Sequence, residues 1–238
     1  MRFGHYSDDT MPEGYFPTEL ADLYKLNSHG YRCPEWSPMP DGKKNVVVLG
    51  CSHTFGQGLA ENEHWAYHLS KHNTQRLRYW NLGQPGASGD RIVRILYACE
   101  RTIDPKIVIV CWPDYSRRER LEKYSINLAG SDSKLKHENE ETDLQNFLKN
   151  VFFVEKYAEY NNAKTFHCFA QTSYGEHIPE LQTLKVETLA NCWPYWDRIS
   201  PMPETHTASK ARDGDHYGIE HHNRFAKLFL DKFRNKLK

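Results

Sequence analysis

Four short apolar runs, separated by segments of helical periodicity, constrain this chain more than any other feature. They are Asn45–Gly50, Arg78–Leu82, Lys106–Trp112 and Lys164–Ala170. Their centres are rich in Val, Ile and aromatic residues, as in parallel strands buried on both faces. The segments between and after them read as helices. Glu61–His72 is the first. Ser88 can cap a second that runs to about Arg101 and puts Ile92, Ile95, Leu96 and Cys99 on one face. Leu144, Phe147, Leu148, Val151, Phe152 and Ala158 mark a third. A weaker helix is expected over Ile178–Ala190 and a short last strand near Tyr195–Ser200. The final helix is expected over Gly218–Lys236, burying Ile219, Phe225, Leu228, Phe229 and Phe233. Strands alternating with helices predict an α/β domain on a doubly wound parallel sheet of about five strands.

Residues 1–42 differ from this pattern. Pro12, Pro17, Pro34, Pro38 and Pro40 interrupt regular structure there, and a turn at Pro40-Asp41-Gly42 closes the segment. It reads as an ordered extension on a main domain of residues 43–238, with one short helix near Thr18–Leu26. Residues 116–140 read as polar and irregular, either a selectivity loop or lid at the edge of the sheet or, equally, a disordered insertion. Within them Arg117-Arg118-Glu119-Arg120 reads as a solvated or salt-bridged helix face rather than a phosphate-binding patch.

Composition removes several function classes. Lys plus Arg and Asp plus Glu both number 31, so no net charge draws the chain to nucleic acid or an anionic membrane. Mean hydropathy is −0.78, and no apolar run approaches a bilayer span. The first residues lack a secretory signal, so a cytoplasmic protein is expected. The six cysteines are scattered without C-x-x-C spacing, which argues against a disulfide framework or a zinc–thiolate site.

In doubly wound sheets, ligands lie beyond the C-terminal ends of the strands. This rule selects the segments after the first three runs. Gly50-Cys51-Ser52-His53-Thr54-Phe55-Gly56-Gln57-Gly58 can turn sharply and lift Ser52 to the sheet's edge as a nucleophile; equally, Ser52 can be an ordinary turn serine. No Gly-Lys-Ser/Thr follows, so this is not a P-loop. In Asn81-Leu82-Gly83-Gln84-Pro85-Gly86-Ala87-Ser88, Gly86 can bring a backbone N–H to a substrate oxygen, or serve loop shape alone. Near the end, Asp213 and His216 are three apart. That spacing lets the carboxylate orient the imidazole, although a helix-capping Asp beside a surface His has the same spelling. His53 adjoins Ser52 too closely to be a good base and reads as a packing or rim residue.

Taken together, these blocks resemble the SGNH/GDSL hydrolase superfamily. Gly50-Cys51-Ser52-His53-Thr54-Phe55-Gly56 resembles its Gly-Asp-Ser block followed by Thr-x-Gly. Asn81, Gly83, Gly86 and Ser88 match its second block, and Asp213, His216 and His222 its last. Asn27-Ser28-His29-Gly30-Tyr31-Arg32 resembles the lead-in of some members. The resemblance spans about residues 27–236. It implies a three-layer, flavodoxin-like α/β/α sandwich. It also implies Ser52 as nucleophile, His216 as acid–base, Asp213 as its orienter, and the N–H groups of Ser52 and Gly86 as oxyanion donors. No metal or organic cofactor is implied. The implied substrate is a small-molecule ester or an acylated glycan, with acetate on a carbohydrate favoured.

Two positions depart from the family. Cys51 stands where the block has Asp. In the third block, Gly-x-Asn-Asp becomes Cys111-Trp112-Pro113-Asp114, so Pro113 replaces an oxyanion-hole Asn. Losing one such donor lowers rates by about 10²–10³. Arg117, one turn past Asp114, is the candidate substitute. His53, Trp112, Asp114 and Arg117 are the candidate substrate contacts; Trp65, Trp112, Trp193, Tyr195 and Trp196 read either as pocket walls or, for most of them, simply as core. Two other readings compete. One is a metal site on Asp213, Asp215, His216, His221 and His222. The other is a non-catalytic domain of this fold that binds a glycan or protein, for which Pro113 argues.

Overall fold

The computed structural model describes residues 20, 22–36, 41–121, 125–128, 140–170, 188–189 and 209–237. At its centre β1 (Lys44–Gly50), β2 (Leu77–Asn81), β3 (Pro105–Trp112), β6 (Lys164–Phe169) and β7 (Thr188–Leu189) form a sheet in the order β2-β1-β3-β6-β7. All four pairings are parallel. The helices are α1 (Ser52–Phe55), α2 (Trp65–Ser70), α3 (Gly89–Ile103), α4 (Glu140–Asn161) and α5 (Ile219–Phe233).

Helices α2 and α5 pack together, as do α3 and α4. Neighbouring residues of β6 show how these pairs divide the two faces. Phe166 meets Phe229 and Phe233 of α5, whereas His167 meets Glu155 of α4. Successive strand side chains point oppositely, so the sheet is covered on both sides in the expected three-layer α/β/α sandwich. Val46 to Leu49 and Ile107 to Trp112 are buried between the layers, as their apolar runs require.

Most elements follow the sequence. Ser88 caps α3 by accepting the Arg91 N–H at 3.2 Å, and Asp104 ends the helix in a left-handed conformation. The expected stripe of Ile92, Ile95, Leu96 and Cys99 is buried. Other expectations need correction. The helix expected over Glu61–His72 begins only at Trp65, because residues 61–64 form a turn in which the His64 ring caps the Tyr67 N–H. Phe152 is 45% exposed and Ile219 39%, so neither belongs to the core. The stripe of α4 instead buries Phe147, Val151, Val154 and Ala158. Near the N-terminus Leu20 is helical, but residues 22–26 of the expected Thr18–Leu26 helix are not.

The stretch 116–140 is not wholly irregular. Its β4 (Arg118–Leu121) and β5 (Ser125–Leu128) pair antiparallel. From Arg118 onward the Arg-rich run is therefore a strand, not a helix face. Its ion pairs reach other elements: Arg94 with Glu119 at 2.6 Å, and Arg118 with Asp143 at 2.9 Å. Asp90 joins the same corner, accepting from the Glu119 N–H and from Asn146 and Asn150 of α4. Within the helix expected over Ile178–Ala190, Thr188–Leu189 is strand β7, and the rest lies outside the described residues. So do Tyr195–Ser200 and Cys192. The other five cysteines are free thiols. Among the described residues no helix is long and apolar enough to cross a membrane.

The register aligns the strand ends on which a site depends. Gly50 pairs with Cys111, and Val48 with Asn81. Past the strands, Gln84 N–H still donates to Gly50 O at 3.0 Å. The second loop thus lies directly against the first turn. A Cβ on Gly83 would stand 2.4 Å from the Phe55 backbone nitrogen. Backbone atoms cannot rotate aside, so Gly83→Ala is expected to destabilise the fold by about 1–3 kcal/mol or more. Urea denaturation of the variant would measure this, and an unchanged midpoint would mean that α1 is not held against this loop.

Candidate active site

Ser52 opens a single helical turn. Cys51 before it is extended, Gly56 after it is left-handed at φ 81, and the Gly56 N–H returns to Ser52 O at 2.9 Å. The backbone therefore reverses within one turn at the end of β1. The absence of a Cβ at Gly50 permits this, since one there would meet Thr54 Oγ1 at 2.1 Å and Cys111 O at 2.7 Å. Asn81 secures the turn from the side: its amide donates to Thr54 O at 3.1 Å and its carbonyl accepts from the Gly83 N–H at 3.0 Å. Asn81 and Gly83 thus have definite work in holding α1. Gly86 adopts φ 71, a conformation that favours glycine whatever its N–H does.

The Asp213 loop is tightly made. One carboxylate oxygen accepts from the backbone N–H groups of Asp215 (3.1 Å) and His216 (3.0 Å). The other lies 2.6 Å from His216 Nδ1. With the carboxylate ionised, Nδ1 carries the proton and donates it to Asp213, which leaves Nε2 as the basic nitrogen. Burial raises the Asp213 pKa, but the backbone N–H groups and then His216 outweigh it and hold the acid below its ordinary range. Asp215 is exposed, and its carbonyl accepts from Lys210 at 3.0 Å.

This loop lies against the Ser52 turn. The His216 ring is 5.4 Å from that of His53, the residue after Ser52, and His53 also packs at 5.4 Å on Tyr217. Arg212 N–H donates to Gly58 O at 3.1 Å, and a Cβ on Gly58 would come within 3.0 Å of the Asp213 carboxylate. Ser52 itself is 6% exposed.

The remaining candidates separate into two groups. Trp112 is fully buried, donates its indole N–H to His167 Nδ1 at 2.8 Å, and packs on Phe147. Trp65 is fully buried too, with its indole N–H on His53 O. Both are core residues, which corrects their reading as pocket walls; Trp193, Tyr195 and Trp196 lie outside the described residues. Asp114 caps its own turn through the Ser116 N–H at 2.8 Å. Arg117 remains. Its positive charge is close enough to Ser52's neighbours to oppose the burial-driven rise of the Cys51 thiol and to push His53 further down. Among the described residues its guanidinium has no hydrogen-bond or ion-pair partner.

Burial first, then His216 and Arg117, bring His53 down to about 3, so its ring is neutral at ordinary pH. His222 is wholly buried and held well below the usual imidazole range, with Nδ1 accepting the Trp65 N–H at 3.1 Å. Among the described residues no three His, Cys, Asp or Glu side chains converge as a metal site. Two functional side chains escaped the sequence reading. Arg32 donates to three carbonyls of the loop after Ser52, and the Tyr24 hydroxyl accepts the Gly58 N–H. The only signal was the Asn27–Arg32 lead-in.

No protein-family model matches the chain, and neither does any curated protein. Solved structures do. A protein assigned to the G-D-S-L lipolytic family from Desulfitobacterium hafniense DCB-2 superposes with TM-score 0.54 and 14% identity, covering 78% of this chain and 97% of that one. The esterase EstA from Pseudoalteromonas sp., inhibited by monoethylphosphonate, superposes with TM-score 0.51 and 13% identity over 82% and 99%. A carbohydrate acetylesterase family member from Sinorhizobium meliloti gives TM-score 0.51 and 10% identity over 82% and 99%. The chain has the fold of the SGNH/GDSL hydrolases.

The buried histidines predict a pH dependence of stability. Unfolded imidazoles protonate near 6.5. Folded His53 resists protonation until about 3, so the unfolded chain binds more protons throughout that window. Stability must then fall as pH drops from 6.5 towards 3, by up to about 1.4 kcal/mol per pH unit for each such histidine. Asp213 adds a loss in the same direction at lower pH, below the ordinary carboxylate range. Denaturation free energies measured from pH 7 to pH 4 are expected to show this slope, and His53→Asn is expected to flatten it. An equal slope in the variant would mean that His53 titrates alike in both states.

Proposed function

We propose that this chain is a serine ester hydrolase, with Ser52 as nucleophile, His216 as general base and acid, and Asp213 as the residue that orients His216. The observation that carries the reading is the 2.6 Å contact of Asp213 with His216 Nδ1, in a loop packed against the turn that begins at Ser52. It leaves Nε2 as the nitrogen able to take a proton. Ser52 Oγ attacks the ester carbonyl as His216 Nε2 takes its proton; His216 returns that proton to the leaving alcohol. Water then attacks the acyl-enzyme by the same relay.

The oxyanion is held by the N–H groups of Ser52 and Gly86. Pro113 has neither a side-chain amide nor an N–H, so Arg117 supplies the third stabilising group as a full positive charge. A fixed cation beside a developing oxyanion in a water-poor site is strongly stabilising. His53 stays neutral and packs behind the base. The favoured substrate is a short acyl ester on a polar alcohol, such as acetate on a carbohydrate. Among the described residues the border beside β3 is polar and ion-paired, and one protein of the same fold is a carbohydrate acetylesterase family member.

Pro113 favours a second reading, a non-catalytic domain that binds a glycan or protein. A fluorophosphonate probe decides between them. Under the hydrolase reading the purified protein forms an adduct at Ser52, located by mass spectrometry and absent from Ser52→Ala. Asp213→Asn is expected to lower kcat on acetylated sugars or short esters by about 10⁴, as in the serine-protease template. Arg117→Ala is expected to lower it by about 10²–10³. Folded protein without any adduct would leave the binding reading in its place.

A further inference from the structure

Among the described residues the N-terminal segment reaches the site through a buried cation, Arg32, and through Tyr24. The Arg32 side chain has no solvent exposure. Its Nη1 donates to Phe55 O (3.2 Å) and Leu59 O (3.0 Å) past the end of α1, and to Gly56 O (2.9 Å), which also accepts the Leu59 N–H at 3.1 Å. Its Nε lies 3.2 Å from Glu61, and its guanidinium sits over the Tyr24 and Phe55 rings at 5.1 and 5.3 Å. Tyr24 grips the next residue of the same loop, its hydroxyl accepting the Gly58 N–H at 2.7 Å. From Gly58 the connection passes to the other half of the site. Gly58 O accepts the Arg212 N–H, and the Gly58 Cα abuts Asp213, whose carboxylate orients His216. One loop, residues 56–59, therefore joins the turn bearing Ser52 to the loop bearing Asp213 and His216.

We infer that Arg32, with Tyr24, is a positioning residue that sets Ser52 and the Asp213–His216 pair in register by fixing the loop 56–59 between them. The inference rests on the hydrolase reading for its kinetic consequence, though not for its geometric one. Arg32 touches no reacting atom. It suits the task because a guanidinium donates in several directions at once and stays charged when buried. Without it Phe55 O and Leu59 O lose this donor, Gly56 O keeps only the Leu59 N–H, and the loop can shift. A displacement of about 1 Å between catalytic groups can cost 10²-fold in rate.

The test uses Arg32→Ala, Arg32→Lys and Tyr24→Phe in the full chain. Arg32→Ala is expected to lower kcat about 10²-fold with KM unchanged. Added guanidinium ion is expected to restore part of the loss, and Arg32→Lys to retain part of the activity. Tyr24→Phe keeps the ring edge on Phe55, so it carries the test if Arg32→Ala does not fold; it is expected to lower kcat in the same sense. The second readout is the downfield NMR proton of His216 Nδ1–H, which reports the Asp213 contact without turnover and is expected to move or broaden in these variants. Phe233→Leu, in the core, is the control for lost stability alone and is expected to lower Tm while leaving kcat and the NMR signal unchanged. If the Arg32 and Tyr24 variants lower Tm but keep both kcat and the His216 signal, the inference is overturned and both residues serve stability only. If wild-type Ser52 resists the phosphonate probe, the hydrolase reading fails, while the His216 signal still decides the positioning role.

Discussion

Backbone contacts too close for a Cβ hold the candidate site together. At Gly50, β1 turns under Thr54 and beside Cys111 O. At Gly83, the second loop presses on the amide of Phe55. At Gly58, the end of the first loop meets Ala211 and Asp213. Each brings together segments that are distant in sequence, and each would be forced apart by at least a few tenths of an ångström if a side chain were added. Polar bonds then set the geometry that the contacts permit: Asn81 on Thr54 O, Arg32 on three carbonyls, and the Arg212 N–H on Gly58 O. Dispersion and hydrogen bonding act jointly here, because a loop held by one alone would still slide or rotate.

The parts legible in the sequence were those whose causes are local. Val46 to Leu49 and Ile107 to Val110 spell buried strands, because both faces of a parallel sheet exclude water. Ser88 spells a cap, because its hydroxyl needs only the Arg91 N–H three residues on. Asp213 and His216 could be paired on paper for the same reason. What misled was whatever depends on a distant partner. The Arg-Glu-Arg alternation suits a strand as well as a helix face, and only the docking of Glu119 on Arg94 and Asp90 decides for the strand. Phe152 looked like a core residue because it is apolar, yet it lies off the Phe147–Val151–Val154–Ala158 stripe and faces outward. Trp112 looked like a pocket wall from its place at a strand end. Strand alternation instead turns it into the α4 layer, where His167 takes its N–H. Arg32 was the least legible, since its partners are carbonyl oxygens that carry no residue identity.

In the proposed hydrolase, the chemistry of the third block follows from the same geometry. A neutral amide at the place of Pro113 would stabilise an oxyanion through a dipole. Pro113 removes that dipole, and the nearby positive group is Arg117, whose field already reaches Cys51 and His53. Exchanging a dipole for a charge has consequences beyond the oxyanion. A cation at the site disfavours any second positive charge nearby, so neighbouring imidazoles must be neutral or carry their own counter-charge.

That condition separates the two imidazoles that face each other 5.4 Å apart. His53 is buried, feels both His216 and Arg117, and receives only weak compensation from Asp213; protonating it is costly at any ordinary pH. His216 has the carboxylate in direct contact, and Asp213 is kept ionised by two backbone N–H groups besides. In the proposed reaction, a proton taken from Ser52 therefore has one favourable destination. Proximity to the nucleophile in sequence would have named His53, but the position of the negative charge names His216. The same charge arrangement makes the register between the two loops matter. In the proposed hydrolase, moving Asp213 away from His216 would weaken the hydrogen bond that holds the ring in place and its tautomer. A residue that fixes the 56–59 loop, as Arg32 does through three carbonyls, thereby bears on the orientation of the base as well as on its distance from Ser52.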